Sequence, residues 1–262
     1  MAQKTIYPVQ GEVRTEKLGN QIAQLRGNVE VVIYEFKEIP NKFVTINLAG
    51  TTIEAGDLEY DQDDKRGYFL SECQVDITAD GSQYFLQKDA PGTSEGAYQF
   101  TTTCQLALNI TAGTFGDVPT TGIGGSIAIG QSSTQDLSDF RTINKSEGPT
   151  ARHIYRMAAT ADGTPYDKPE DLVDTSVKGQ FEGDPLYHVP QLATANLGIP
   201  SQAIFVSHQP GAGDLRIHLD FDATLLYVEK TWEFAVVKVE TKTVHWRQNF
   251  SFLIPAAAVV GD

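Results

Sequence analysis

Leu215, Ile217, Leu219 and Phe221 alternate strictly with Arg216, His218, Asp220 and Asp222. A period of two gathers the apolar side chains on one face only if the backbone is extended, so this segment is a β-strand with one buried face. The pattern recurs along the chain. Val29 to Phe36 is β-branched and aromatic, and Phe43 to Leu48 follows the turn Ile39-Pro40-Asn41. Phe69, Cys73, Val75 and Ile77 recur at even spacings and stop at Asp80-Gly81. Trp232, Phe234 and Val236 predict one further strand, and Val244, Trp246, Phe250, Phe252 and Ile254 predict a long last one.

Helical signals are confined to residues 165–200. Asp167-Lys168-Pro169-Glu170-Asp171 carries a capping Asp, an early Pro and acids in a first turn. Pro190 to Leu197 begins on Pro, with Gly198 just beyond its end. No repeat of 20–50 residues is present. The expected fold is all-β: one β-rich domain spanning residues 1–262, an antiparallel β-sandwich-like body with one or two short helices between residues 165 and 200. Long strands and irregular loops favour a sandwich over a closed barrel.

A chain of 262 residues can bury a full core without staples. Its 34 acidic and 20 basic side chains give a net charge of −14, which argues against nucleic acid as a partner and against adsorption to anionic lipid through a polybasic patch. No apolar core of a signal peptide follows Lys4, and the longest aliphatic run, Ala256 to Val260, is far short of the ~20 residues of a spanning helix. Localisation stays unknown from the sequence; release or export by a non-standard route is the expectation. Cys73 and Cys104 are too few for a disulfide framework and lie in alternating segments, so both are expected as buried free thiols, with a Cys73–Cys104 bridge as the alternative.

One segment breaks the pattern. The 40 residues 96–135 contain a single charged side chain, Asp117, although 21% of the whole chain is charged. At that average about eight would be expected. Thr, Ser, Gln, Asn and Gly fill the polar positions instead. Cys104, Leu106, Leu108 and Ile110 alternate on the way out; Ile123, Ile127 and Ile129 alternate on the way back. Between them lies the Gly- and Pro-rich stretch 113–122, with Phe115 and Val118 beside its centre. The reading is a long hairpin inserted into the body, with its tip near Asp117 and arms of about ten residues, the length of a tilted transmembrane β-strand.

Strands enter lipid only within a closed barrel, because every backbone polar group must be paired there. One face must then be apolar, the other small and polar, and neither can hold charges near the midplane cheaply. In this respect 96–135 resembles the membrane-insertion hairpin of β-pore-forming toxins. The resemblance covers these 40 of 262 residues. It implies a soluble, homo-oligomerising protein whose partner is a target membrane or membrane receptor. The insertion residues would be Cys104, Leu106, Leu108, Ile110, Phe115, Val118, Ile123, Ile127 and Ile129.

Other constellations are weaker. His218, Asp220 and Asp222 beside Arg216 read as the solvent-facing set of a strand. The acidic run Asp57 to Asp64 fails the EF-hand spacing, because Gly67 is the seventh residue from Asp61 instead of the sixth. The chain has no HExxH, Cys-x-x-Cys, P-loop or G-x-G-x-x-G. No metal, no cofactor and no enzymatic activity are therefore expected. Arg152-His153-Ile154-Tyr155-Arg156 and Thr243-Val244-His245-Trp246-Arg247 read as strand pieces with Arg and His facing outwards. Two alternatives to a pore former stand. A structural self-assembly protein (virion, tail or tubular component) would use the hairpin for subunit contacts. A carbohydrate- or protein-binding module would need an aromatic platform from Tyr98, Trp232 and Trp246, although burial suits Trp better. The scarcity of charge in 96–135 decides for the pore former, since an assembly hairpin has no need to exclude charge.

Overall fold

The computed structural model describes residues 2–255 except 15–20, 37–38, 56–57, 62–63, 82, 95–98, 111–112, 116–117, 121–124, 137–138, 174–187, 195, 210–211 and 234–235. Strands take up 71% of it and helices 4%, so the fold is all-β. The first sheet holds β1 (Ala2–Arg14), β2 (Gln21–Tyr34), β3 (Phe43–Asn47), β4 (Thr52–Ala55), β7 (Tyr84–Ala90), β14 (Asn196–Gly198) and β15 (Gln202–Ser207). Its order is β14-β4-β2-β3-β15-β7, with β1 paired along β2. The second sheet holds β5 (Leu58–Asp61), β6 (Asp64–Asp80), β12 (Phe140–Asn144), β13 (Thr150–Met157), β16 (Leu215–Glu233) and β17 (Val236–Ile254), in the order β12-β13-β6-β16-β17 with β5 on β6. Every described pairing is antiparallel, the arrangement that hairpin connections produce.

The sheets share one core. Leu215, Ile217, Leu219 and Phe221 point into it together with Cys73, Val75 and Ile77, against Val29, Val31, Val44, Ile46 and Phe205 of the first sheet. This is the sandwich the alternation predicts. Cys73 and Cys104 are both free and both buried. Trp246 is buried too, so it offers no exposed platform; the side chains of Tyr98 and Trp232 lie outside the described residues. Where β6 meets β16 the register slips, and Ser71 is the extra residue, its hydroxyl donating to the Thr224 carbonyl at 3.0 Å. A bulge lets both Leu70 and Cys73, of opposite parity, reach the interior.

Three expectations need correcting. Trp232, Phe234 and Val236 do not form a separate strand. β16 runs to Glu233 and β17 starts at Val236, so the segment is the tip of the β16–β17 hairpin, with Phe234 outside the described residues. Alternation continues through a tight reversal, so it could not mark this one. The helix expected over Pro190 to Leu197 is a single turn, α1 (Gln191–Thr194). Leu197 and Gly198 instead pair with Ile53 and Thr52 of β4, because joining the sheet buries Leu197 completely. The other helix is one 3-10 turn, Pro169–Leu172. There the capping is done by Asp171, which accepts from the backbone N–H groups of Asp167 and Lys168.

The third correction is His153. It faces inwards with Ala151, Tyr155 and Met157 and is fully buried. Arg152 and Arg156 do face out, paired with Asp76 and Glu72. Ile154 on the opposite face is buried as well, so hydrophobicity alone gave no parity for this strand.

Candidate functional site

The 96–135 segment forms a hairpin of four strands: β8 (Gln99–Ile110), β9 (Gly113–Phe115), β10 (Val118–Thr120) and β11 (Gly125–Asp136). β8 and β11 pair without a slip from Gly125↔Ile110 to Asp136↔Gln99, a ladder of 12 residue pairs. Such a ladder is about 40 Å long. Phe115 opposes Val118 next to the reversal, as the tip expected near Asp117 requires.

Residues directly opposed across an antiparallel ladder share a face. In this register Leu106 opposes Ile129, Leu108 opposes Ile127, Ile110 opposes Gly125 and Cys104 opposes Gln131. The alternating apolar residues of both arms thus coincide. On the other face Thr101, Thr103, Gln105, Ala107 and Asn109 oppose Thr134, Ser132, Gly130, Ala128 and Ser126. Among the described side chains the division is visible: Thr103, Gln105, Ala128 and Ser132 are exposed, while Cys104 and Ile129 are buried. Thr103 and Ser132 meet across the strands at 3.3 Å. Ile123 lies outside the described residues.

The root of the apolar face is stored on the body. Cys104, Ile129 and the partly buried Leu106 pack on Ile39, Phe43, Ala90, Ile204 and Val206, a second apolar cluster on the outer side of the first sheet. Burial pushes the Cys104 thiol up to about 12, well above a free thiol. Polar contacts fasten the same root. The Gln131 amide donates to the Glu30 carboxylate and accepts from Asn47, and Glu30 is also paired with Lys4. The Lys88 ammonium donates to the Gln105 carbonyl at 2.7 Å. None of these partners was visible in the sequence, because each contact joins residues far apart along the chain.

Below the root, the outgoing leg, residues 91–94, leads from β7 towards the hairpin. The outgoing leg runs antiparallel to β12: Ser94 N–H donates to the Thr142 carbonyl at 2.9 Å, and Thr142 donates its hydroxyl to the Gly92 carbonyl at 2.8 Å. Asp89, at the head of this leg, accepts from Asn144 at 2.5 Å and Ser146 at 2.6 Å and contacts His153 Nε2 at 2.8 Å. His153 Nδ1 lies 3.1 Å from the Ser201 hydroxyl, which also meets the Tyr155 hydroxyl at 2.8 Å. Sequence reasoning missed this Ser–His–Asp order. Ser201 and His153 have no exposed surface, and the hydroxyl is shared with a buried Tyr, so the group joins the two sheets and clamps the leg. Sequence reasoning also missed that Gly92-Thr93-Ser94-Glu95-Gly96 spells the nucleophile-elbow pattern. Ser94 lacks the strand-to-helix setting that pattern needs: it bonds to Thr142 beside a strand.

Burial raises the Asp89 carboxyl, but the hydrogen bonds from His153, Ser146 and Asn144 outweigh it and hold the group below the usual carboxylate range. Its contribution to stability is therefore complete above the ordinary pKa near 4 and is lost as pH falls through the depressed one. The clamp holds at pH 5. We expect His153→Ala, which strands Asp89 and Ser201 without a partner, to cost about 2–4 kcal/mol and lower the melting temperature by roughly 5–15 °C. An unchanged melting curve would remove the clamp.

The remaining candidates keep structural roles. Asp222 is paired with Arg247 at 2.7 Å, and His218 Nε2 lies 3.6 Å from Asp80. Asp220 faces Asp76 across the strands; partial burial and that neighbour raise its carboxyl. Leu58–Asp61 and Asp64 form the β5–β6 hairpin, whose side chains lie outside the described residues. Among the described residues no three His, Cys, Asp or Glu are grouped to hold a metal ion. No described helix is long and apolar enough to cross a membrane, which leaves strands untouched by that test.

The sequence matches no protein-family model, and no curated protein matches it. Solved structures do. A structure described as a pore forming protein aligns over 97% of this chain and 92% of its own, with a TM-score of 0.60 and 12% identity. The delta-toxin of Clostridium perfringens aligns over 97% of this chain and 90% of its own, with a TM-score of 0.61 and 10% identity. The Clostridium perfringens NetB toxin in its membrane-inserted form aligns over 97% of both chains, with a TM-score of 0.58 and 14% identity. At such identities the likeness is one of fold, and it extends over nearly the whole of this chain.

Proposed function

We propose that this chain is a soluble, non-enzymatic β-pore-forming protein. Copies assemble on a target membrane, and each contributes the 96–135 hairpin to a shared transmembrane β-barrel. The observation that carries this reading is the β8–β11 register. It aligns Leu106 with Ile129 and Leu108 with Ile127 on one face and an uncharged Thr/Ser/Gln/Asn row on the other. A membrane barrel needs those two faces, towards lipid and towards water. The fold shared with pore-forming proteins supports the reading.

Storage of the hairpin root supports it too. An apolar ribbon left open in water invites edge pairing and aggregation, whereas one seated on Phe43, Ile204 and Val206 stays soluble until released. With a net charge of −14, first attachment rests on a specific receptor or lipid head group. Negative-stain electron microscopy with and without liposomes, together with dye release, tests the function. Rings and release that occur only with liposomes are expected. Rings, tubes or shells already formed in plain buffer would establish the structural-assembly alternative instead.

A further inference from the structure

We infer that the pore is selective for small monovalent cations over anions, and that a ring of Asp136 at the root of its water-lining face sets this preference. The inference rests on the pore reading above and follows from the same register. Positions opposed in the β8–β11 ladder share a face, and Asp136 opposes Gln99. Stepping by two from Asp136 gives Thr134, Ser132, Gly130, Ala128 and Ser126, the small polar row. Asp136 therefore belongs to the water-lining face, at its root. Every other position of that face in β8 and β11 is uncharged.

Each subunit thus brings Asp136 to the root of the lumen face. No Lys or Arg lies in the chain between Lys88 and Arg141, a stretch whose acids are Asp89, Glu95, Asp117, Asp136 and Asp139. A ring of carboxylates in an otherwise uncharged pore lining raises local cation concentration and repels anions. Screening over about 10 Å at 0.1 M salt makes the preference modest in a wide pore and steeper at low ionic strength.

Planar-bilayer recordings across a KCl gradient test this with the wild-type chain and Asp136→Asn. We expect a permeability ratio of K+ to Cl− of about 3 in the wild type at low salt and a ratio of about 1 in Asp136→Asn. Asn109→Lys, which places a cation on the same face, should bring the ratio below 1. A wild-type ratio at or below 1, or an Asp136→Asn variant that keeps the wild-type ratio, overturns the inference while conductance steps leave the pore standing. Absence of any conductance step in the wild type overturns the pore reading itself, and the selectivity with it.

Discussion

Leu108→Asp and Ile127→Asp each abolish membrane permeabilisation while leaving the soluble protein folded. The two residues oppose each other in the β8–β11 ladder, on the apolar face, as the next same-face pair beyond Leu106 and Ile129. Among the described side chains the contacts that seat the hairpin are those of Cys104, Leu106 and Ile129, so the soluble fold is expected to tolerate a carboxylate at either position. In a barrel the same carboxylate sits against lipid. The cost there is about 2–4 kcal/mol for a basic side chain near the midplane and less for an acid, but it is incurred by every copy in the ring. At about 1 kcal/mol per copy, a handful of copies already exceeds the factor of 100 that about 2.8 kcal/mol represents. Dye release from liposomes should therefore fall at least about 100-fold. Circular dichroism and sedimentation of the soluble form should not change. Thr103→Asp is the matched control: it adds the same charge to the water-lining face and should release dye within about twofold of wild type. If Leu108→Asp and Ile127→Asp both permeabilise normally, the apolar face does not meet lipid and the pore reading fails.

The chain's alternation made most of this legible, and its failures have physical causes. The interior face of β16 could be read residue by residue, because Leu, Ile and Phe occupy one parity and Arg, His and Asp the other. The hairpin was legible for the same reason, sharpened by its lack of charge. β13 defeats the method, since both Ile154 and Tyr155 are buried and a buried His153 is stabilised by partners 64 and 48 residues away. A polar side chain reads as solvent-facing until the topology supplies its partner. The same holds for Gln131, whose partners Asn47 and Glu30 lie 84 and 101 residues away. The sequence identifies the ribbon; only the fold shows where its root is stored. Residues 232–236 and 190–198 fail for a different reason. A reversal or a single helical turn is too short to interrupt a periodic pattern, so its boundaries depend on what pairs alongside.

That storage gives the last prediction its force: Gly130→Ala unseats the root of the hairpin and exposes Cys104. Gly130 has φ +111°, a region that residues with a Cβ adopt only under strain, and an added Cβ would stand 2.0 Å from the Cys104 carbonyl oxygen. That oxygen belongs to backbone and cannot rotate away, so the ladder itself must shift. The backbone conformation alone costs about 1–3 kcal/mol, and the clash adds to it. The loss falls on the local equilibrium between the seated and lifted root, because Cys104 packs in the outer apolar cluster and not in the main core. Labelling of a buried thiol follows the population of the open state, so Cys104 should react with a maleimide about 10- to 100-fold faster than in the wild type. Cys73, in the core between the two sheets, supplies the internal control and should stay as slow as before. Peptide mapping of the labelled protein separates the two sites. Equal acceleration at both would mean that Gly130→Ala destabilises the whole fold. No acceleration at Cys104 would mean that contacts other than this close approach hold the root down, and that release of the hairpin begins elsewhere.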